Sequence, residues 1–124
     1  MAKITLRKTR ETRVRSGHPW IYASEIEQVE GEFENGDIVD VADFRGKFIG
    51  RGFYNPQSQI SLRILTRNDE PCDRAFFRRR ISDAWAYRKL LCDPDSCRLI
   101  YSESDFLPGL VVDKFGGTLV LQSL

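Results

Sequence analysis

A chain of 124 residues, 41% apolar and 30% charged, has room for one ordinary domain or two small ones and lacks the composition of a disordered tail. No apolar run approaches the roughly 18 residues of a membrane-crossing helix. Met1-Ala2-Lys3 leads into an alternating segment with no apolar signal core, so a cytoplasmic location is expected.

Ile4 and Leu6 alternate with Lys3, Thr5 and Arg7, which predicts a short first strand. Thr9 to Arg15 suits one or two helical turns, stopped by Gly17 and Pro19. The turn signal Asn35-Gly36 precedes an alternating strand, Asp37 to Val41. Asp43-Phe44-Arg45-Gly46 then reads as a hairpin turn into a strand over Lys47–Tyr54. In that strand Gly50 and Gly52 share a face, where a neighbouring backbone or a ligand can approach closely. Ile60, Leu62 and Ile64 line one side of a further strand. Several short strands within about 70 residues predict a small β-barrel or a compact sandwich.

The character changes at the polar linker Asn68-Asp69-Glu70-Pro71. Asp73 is placed to cap a helix that runs to about Leu91 and ends at Asp93-Pro94. Phe77, Ile81, Ala84, Trp85 and Leu91 form its predicted inner face, with Arg78, Arg79 and Asp83 off it. Arg98–Ser102, Leu110–Phe115 and Thr118–Gln122 read as strands, the last two joined by Gly116-Gly117. The chain therefore divides into residues 1–70, a β-module, and residues 71–124, an α+β tail too short to close a core by itself.

Charge is distributed in blocks behind a net value of +1. Residues 1–20 carry six Lys/Arg against Glu11 alone. Residues 21–44 carry eight acids and no Lys or Arg, and residues 45–67 carry five Lys/Arg and no acid. Such blocks either form separate basic and acidic faces that steer a polyanion, or neutralise one another in surface salt bridges. Arg13-Val14-Arg15-Ser16-Gly17-His18-Pro19-Trp20-Ile21-Tyr22 mixes cations with flat rings, offering charge to phosphates and a stacking surface to bases.

Other motifs carry less. Cys72, Cys92 and Cys97 form no CxxC pair, and one histidine cannot complete a zinc set, so reduced thiols and no metal are expected. Gly46-Lys47-Phe48-Ile49-Gly50-Arg51-Gly52 superficially resembles a nucleotide loop, but it lies in a strand with no helix behind it. Glu103 and Asp105 read as turn chemistry before an acid/base pair. Arg78-Arg79-Arg80 reads first as a solvated helix face, with RNA contact as the sharper alternative.

Arg13-x-Arg15-x-Gly17-His18-Pro19-Trp20-Ile21-Tyr22, Gly36-Asp37-x-Val39-x-Val41, Gly50-x-Gly52-x-Tyr54-Asn55 and Ser58-x-Ile60-x-x-Arg63 together resemble a PUA domain, a pseudo-barrel RNA-binding module. Arg98 to Gly116, with Leu107-Pro108-Gly109, is similar to the start of the domain that follows PUA in the class I S-adenosylmethionine-dependent large-subunit rRNA cytosine-C5 methyltransferases. The resemblance implies a mainly β fold with an α+β tail: a PUA-like pseudo-barrel, then one helix and an antiparallel β-hairpin segment. Phe106 departs from it, standing where the family usually has glycine.

In that family the S-adenosylmethionine loop and the attacking cysteine lie in a later Rossmann-like domain, and no cysteine here matches the catalytic motif. The resemblance thus carries over no catalytic, cofactor-binding or metal residue, and implies S-adenosylmethionine only for a full-length parent. The chain is expected to be an N-terminal piece that holds ribosomal RNA. Arg13, Arg15, Arg51 and Arg63 are the expected phosphate contacts, and Trp20 and Tyr54 the stacking groups. For Trp20 a core-anchor role is the competing reading. His18 either touches RNA or bonds a backbone carbonyl and fixes its turn. The alternative function is a free-standing PUA-type RNA-binding or protein-interaction module, self-associating through the edge of its tail sheet.

Overall fold

Alternation along the first 70 residues builds a single curled sheet. The computed structural model describes residues 2–91, 93 and 95–123. The expectations for Cys92 and Pro94 fall outside these residues. Two units divide the chain, Met1–Glu70 and Pro71–Leu124.

The first unit contains β1 (Lys3–Leu6), α1 (Glu11–Arg15), β2 (Trp20–Tyr22), a 3-10 turn (Ala23–Glu25), β3 (Ile26–Glu30), β4 (Asp37–Ala42), β5 (Phe48–Tyr54) and β6 (Ile60–Thr66). They form a six-stranded half-barrel in the order β2-β6-β5-β4-β1-β3. β1 runs parallel to β4 and antiparallel to β3, which places the start of the chain inside the sheet rather than at its edge. Ile4, Leu6, Val14, Ile21, Val39, Val41 and Leu62 are fully buried in one core, joined by Ala2, Ile49, Tyr54 and Ile64. Each large aliphatic side chain there contributes about 2 kcal/mol of burial.

Gly50 and Gly52 mark the bend of this sheet. A Cβ at Gly52 would stand 2.2 Å from the Arg63 carbonyl oxygen, and one at Gly50 2.6 Å from that of Thr66. What approaches these glycines is the backbone of β6. The β5–β6 register slips at the same place, pairing Arg51 with Thr66 but Gly52 with Ile64. Leu65 is the extra residue of this bulge, and it is buried alongside Ile64, which strict alternation does not allow.

The second unit contains α2 (Arg74–Leu91), β7 (Ser96–Tyr101), a 3-10 turn (Ser102–Asp105), β8 (Leu110–Phe115) and β9 (Thr118–Ser123). The predicted hairpin segment is a three-stranded antiparallel sheet, β7-β8-β9. Asp73 caps α2 as expected, its carboxylate accepting the Phe76 N–H at 3.0 Å. The inner face of α2 differs from the predicted one. Ile81 and Leu91 are exposed, whereas Phe76, left out of the apolar stripe, is buried. The second core comprises Ala84, Ile100, Leu107 and Val112, packed by Phe77, Leu99 and Leu110. So small a core takes only Ala84 and part of Phe77 from the helix.

Asp105 confirms its turn role. Its Oδ2 accepts the Tyr101 N–H and an Arg88 Nη2 hydrogen, each at 2.7 Å, in a largely buried ion pair. Glu103 accepts the Ser102 hydroxyl.

Candidate nucleic-acid interface

β2 decides which parts of the Arg13–Tyr22 block face outward. Because strand side chains alternate, burial of Ile21 sends Trp20 and Tyr22 to the other face. Trp20 is half-buried, and Ile21 is the residue of β2 that lies fully buried in the core. Arg63 pairs with Trp20 across β2–β6, and its guanidinium lies 5.5 Å from the Trp20 ring centroid. His18 meets Trp20 edge-to-face at 6.0 Å. These three side chains form one outward cluster of two rings and a cation.

Arg13 does something else. It donates to the Trp20 carbonyl at 2.9 Å and to Glu25 Oε1, and it lies 2.8 Å from His18 Nδ1. Glu25 is buried and also accepts the Tyr22 N–H at 3.0 Å. Arg13 is therefore a bracket that ties α1 to β2 and to the turn behind it. Its guanidinium also covers the Tyr22 ring at 5.3 Å. His18 was expected to bond a carbonyl if it fixed the turn. Instead Nδ1 faces the Arg13 guanidinium and the Trp20 N–H, both donors, so the ring acts there as acceptor. Arg67 completes the buckle by donating to the carbonyls of Val14 and His18, where a cation offsets the helix C-terminal dipole.

Two of the expected RNA contacts are held within the fold. Tyr54 is 5% exposed in the core, edge-to-face with Phe33 at 4.9 Å, so no base can stack on it; burial also raises its hydroxyl pKa. The Arg51 side chain is 15% exposed and clamped between Asp40 and Asp69 at 2.7 Å each, with a further bond to the Glu70 carbonyl. The Asp40 bond, foremost, raises its pKa, so Arg51 is held as a cation within this clamp. Arg15 is half-exposed but pairs with Asp43 at 2.8 Å. Asp43 also accepts the Lys47 and Arg45 N–H groups, and these contacts, Lys47's first, hold its carboxyl below the usual aspartate range.

The charge blocks thus pair with one another: Arg7 with Glu27, Arg13 with Glu25, Arg15 with Asp43, Arg51 with Asp40. Beside these pairs stand the Arg63–Trp20–His18 cluster and a depression of about 370 Å³ lined by Arg10, Arg13, Tyr22, Ser24 and Glu25. Tyr22 belonged to the basic-aromatic block but not to the expected contacts, and Arg10 lay outside both. Period-two alternation around Ile21 is the signal that would have found Tyr22.

A nucleotide-type cofactor needs a glycine turn opening onto a helix N-terminus. Gly46–Gly52 does not fit such a group, because it opens onto β5 and its inner glycines are closed by β6. Among the described residues no cluster of three His, Cys, Asp or Glu could hold a metal, and Cys72 and Cys97 stand outside any disulfide. No helix among them is long and apolar enough to cross a membrane.

Comparison with known proteins agrees with this architecture. Over 98% of its length the chain is 41% identical to ribosomal RNA large subunit methyltransferase I of Klebsiella pneumoniae and 42% identical to that of Escherichia coli. It spans 32%, about a third, of the length of these relatives. A solved structure from Streptococcus mutans, provisionally described as a SAM-dependent methyltransferase, shares the fold. It matches with a TM-score of 0.79 over 98% of this chain and 32% of its own, at 13% identity. Residues 4–67, half of the chain, match the PUA-like domain. The chain belongs to the PUA-like domain family.

Proposed function

We propose that this chain is the RNA-binding region of a cytoplasmic, S-adenosylmethionine-dependent 23S rRNA cytosine-C5 methyltransferase, positioning ribosomal RNA for a catalytic domain outside the chain. The carrying observation is the 41–42% identity to rRNA methyltransferases, which extends through both units rather than stopping with the PUA-like match. The outward Trp20–Arg63 pair supports it, offering a ring for a base and a cation for a phosphate. Arg63, Arg15 and His18 are the proposed polar contacts, and Trp20 and Tyr22 the aromatic ones. Arg13 acts indirectly, by holding the loop in shape.

The test is titration of the chain with structured fragments of ribosomal RNA at two salt concentrations. Binding that weakens steeply with salt is expected, because displaced counterions drive phosphate contact. Absence of binding at low salt, or indifference to salt, overturns the reading. Labelled S-adenosylmethionine added with the RNA is expected to yield no methyl transfer from this chain alone.

A second reading, a self-associating module, is favoured by β9. This edge strand is exposed along its whole length, with Leu119, Val120 and Leu121 in solvent. Sedimentation velocity separates the two: a concentration-dependent dimer in the absence of RNA supports association through this edge.

A further inference from the structure

The second unit displays an aromatic ring in a conformation that works against it. Phe106 follows the Ser102–Asp105 turn at φ 59° and ψ 31°, in the left-handed region that glycine enters freely and a bulky residue does not. Its side chain gains little burial in return, since the residue is 67% exposed. Strain retained at an exposed site points to a use for the side chain.

Arg80 supplies the support. Its Nη1 donates to the Phe106 carbonyl at 2.5 Å, and its guanidinium lies 5.4 Å from the Phe106 ring and 4.4 Å from that of Phe76. Phe76 is buried and packs edge-to-face on Phe77 at 5.4 Å, so the stack stands on a fixed base. Arg79 reaches the Phe76 ring at 5.9 Å, and Arg78 and Arg79 are exposed on the same helix. Of the Arg78–Arg80 run, Arg80 is thus built into the fold instead of simply solvated.

An open ring braced by a cation, with further arginines on the supporting helix, suits an unpaired nucleobase and its phosphate. A protein partner would instead favour an apolar surround at the anchor. We propose that Phe106, braced by Arg80, is a stacking platform for an unpaired base of RNA, separate from the Trp20–Arg63 face. The proposal rests on the RNA-binding reading above.

The experiment uses the whole chain and a fluorescently labelled single-stranded oligoadenylate, with thermal unfolding measured in parallel. Phe106→Gly is expected to raise the melting temperature, because the strain disappears, while weakening oligoadenylate binding about ten-fold. Phe106→Trp is expected to restore binding to the wild-type level or above. If Phe106→Gly leaves binding unchanged while Arg63→Ala weakens it, the platform is overturned and the RNA-binding reading stands. If the wild-type chain binds neither oligoadenylate nor structured rRNA fragments, that reading itself has failed. A lower melting temperature for Phe106→Gly overturns the platform by making the ring structural. So does unchanged RNA affinity with loss of self-association in sedimentation, which makes it a protein contact.

Discussion

Arg13, Arg51 and Arg63 show how one residue type takes different work from its partners. Arg13 faces a buried carboxylate, so Arg13→Ala strands Glu25 and is expected to cost about 2–3 kcal/mol in denaturant unfolding. Arg63 lies against the outward ring of Trp20. Arg63→Ala is expected to weaken RNA binding and reduce its salt slope by about one, as read by titration at two salt concentrations. Asp43 provides a pH signature. Its carboxyl pKa is lowered in the folded chain, so its contribution is complete above the unfolded aspartate value and disappears as pH falls through the folded one. Wild-type and Asp43→Asn stabilities should therefore differ by a constant amount above about pH 5 and converge in stronger acid, as followed by urea unfolding across pH. Pairing between the charge blocks was one of two readings open from the sequence, but not which carboxylate meets which arginine. Glu25 and Asp43 sit in an acidic block remote in sequence, and only the fold brings them opposite Arg13 and Arg15.

At the level of elements, legibility followed side-chain alternation. β1 and β4 bury alternate residues, as the period-two pattern of Ile4/Leu6 and Val39/Val41 announces, and Ile60/Leu62/Ile64 announces β6, although its bulge also buries Leu65. β2 and β3 announce themselves weakly. β2 is three residues long, and β3 exposes all but its first residue, held mainly by backbone pairing with β1. In α2 the apolar spacing was real, but a sheet of three strands is too small to cover it, which left Ile81 and Leu91 in solvent. The glycines of β5 could be read as a place of close approach, though not as a bend. Gly52→Ala drives a methyl into the Arg63 carbonyl and is expected to cost about 2–3 kcal/mol, whereas Gly117→Ala, with open space around it, should be nearly neutral. Thermal unfolding of the two variants makes the comparison.

For the molecule as a whole, the first core draws every member from residues 2–64. A fragment of residues 1–70 is expected to unfold cooperatively by circular dichroism and to bind RNA with salt dependence. Its affinity should fall below that of the whole chain by the contribution of Phe106. Non-cooperative melting would show that the first core needs the second unit. The placement of β1 between β3 and β4 carries a separate implication for biosynthesis. β1 finds a partner for one edge only once Glu30 of β3 has been made, and for the other only once Ala42 of β4 has followed. Closure of this sheet during synthesis is therefore delayed rather than vectorial: β1 waits for two later strands to close around it, one after the other.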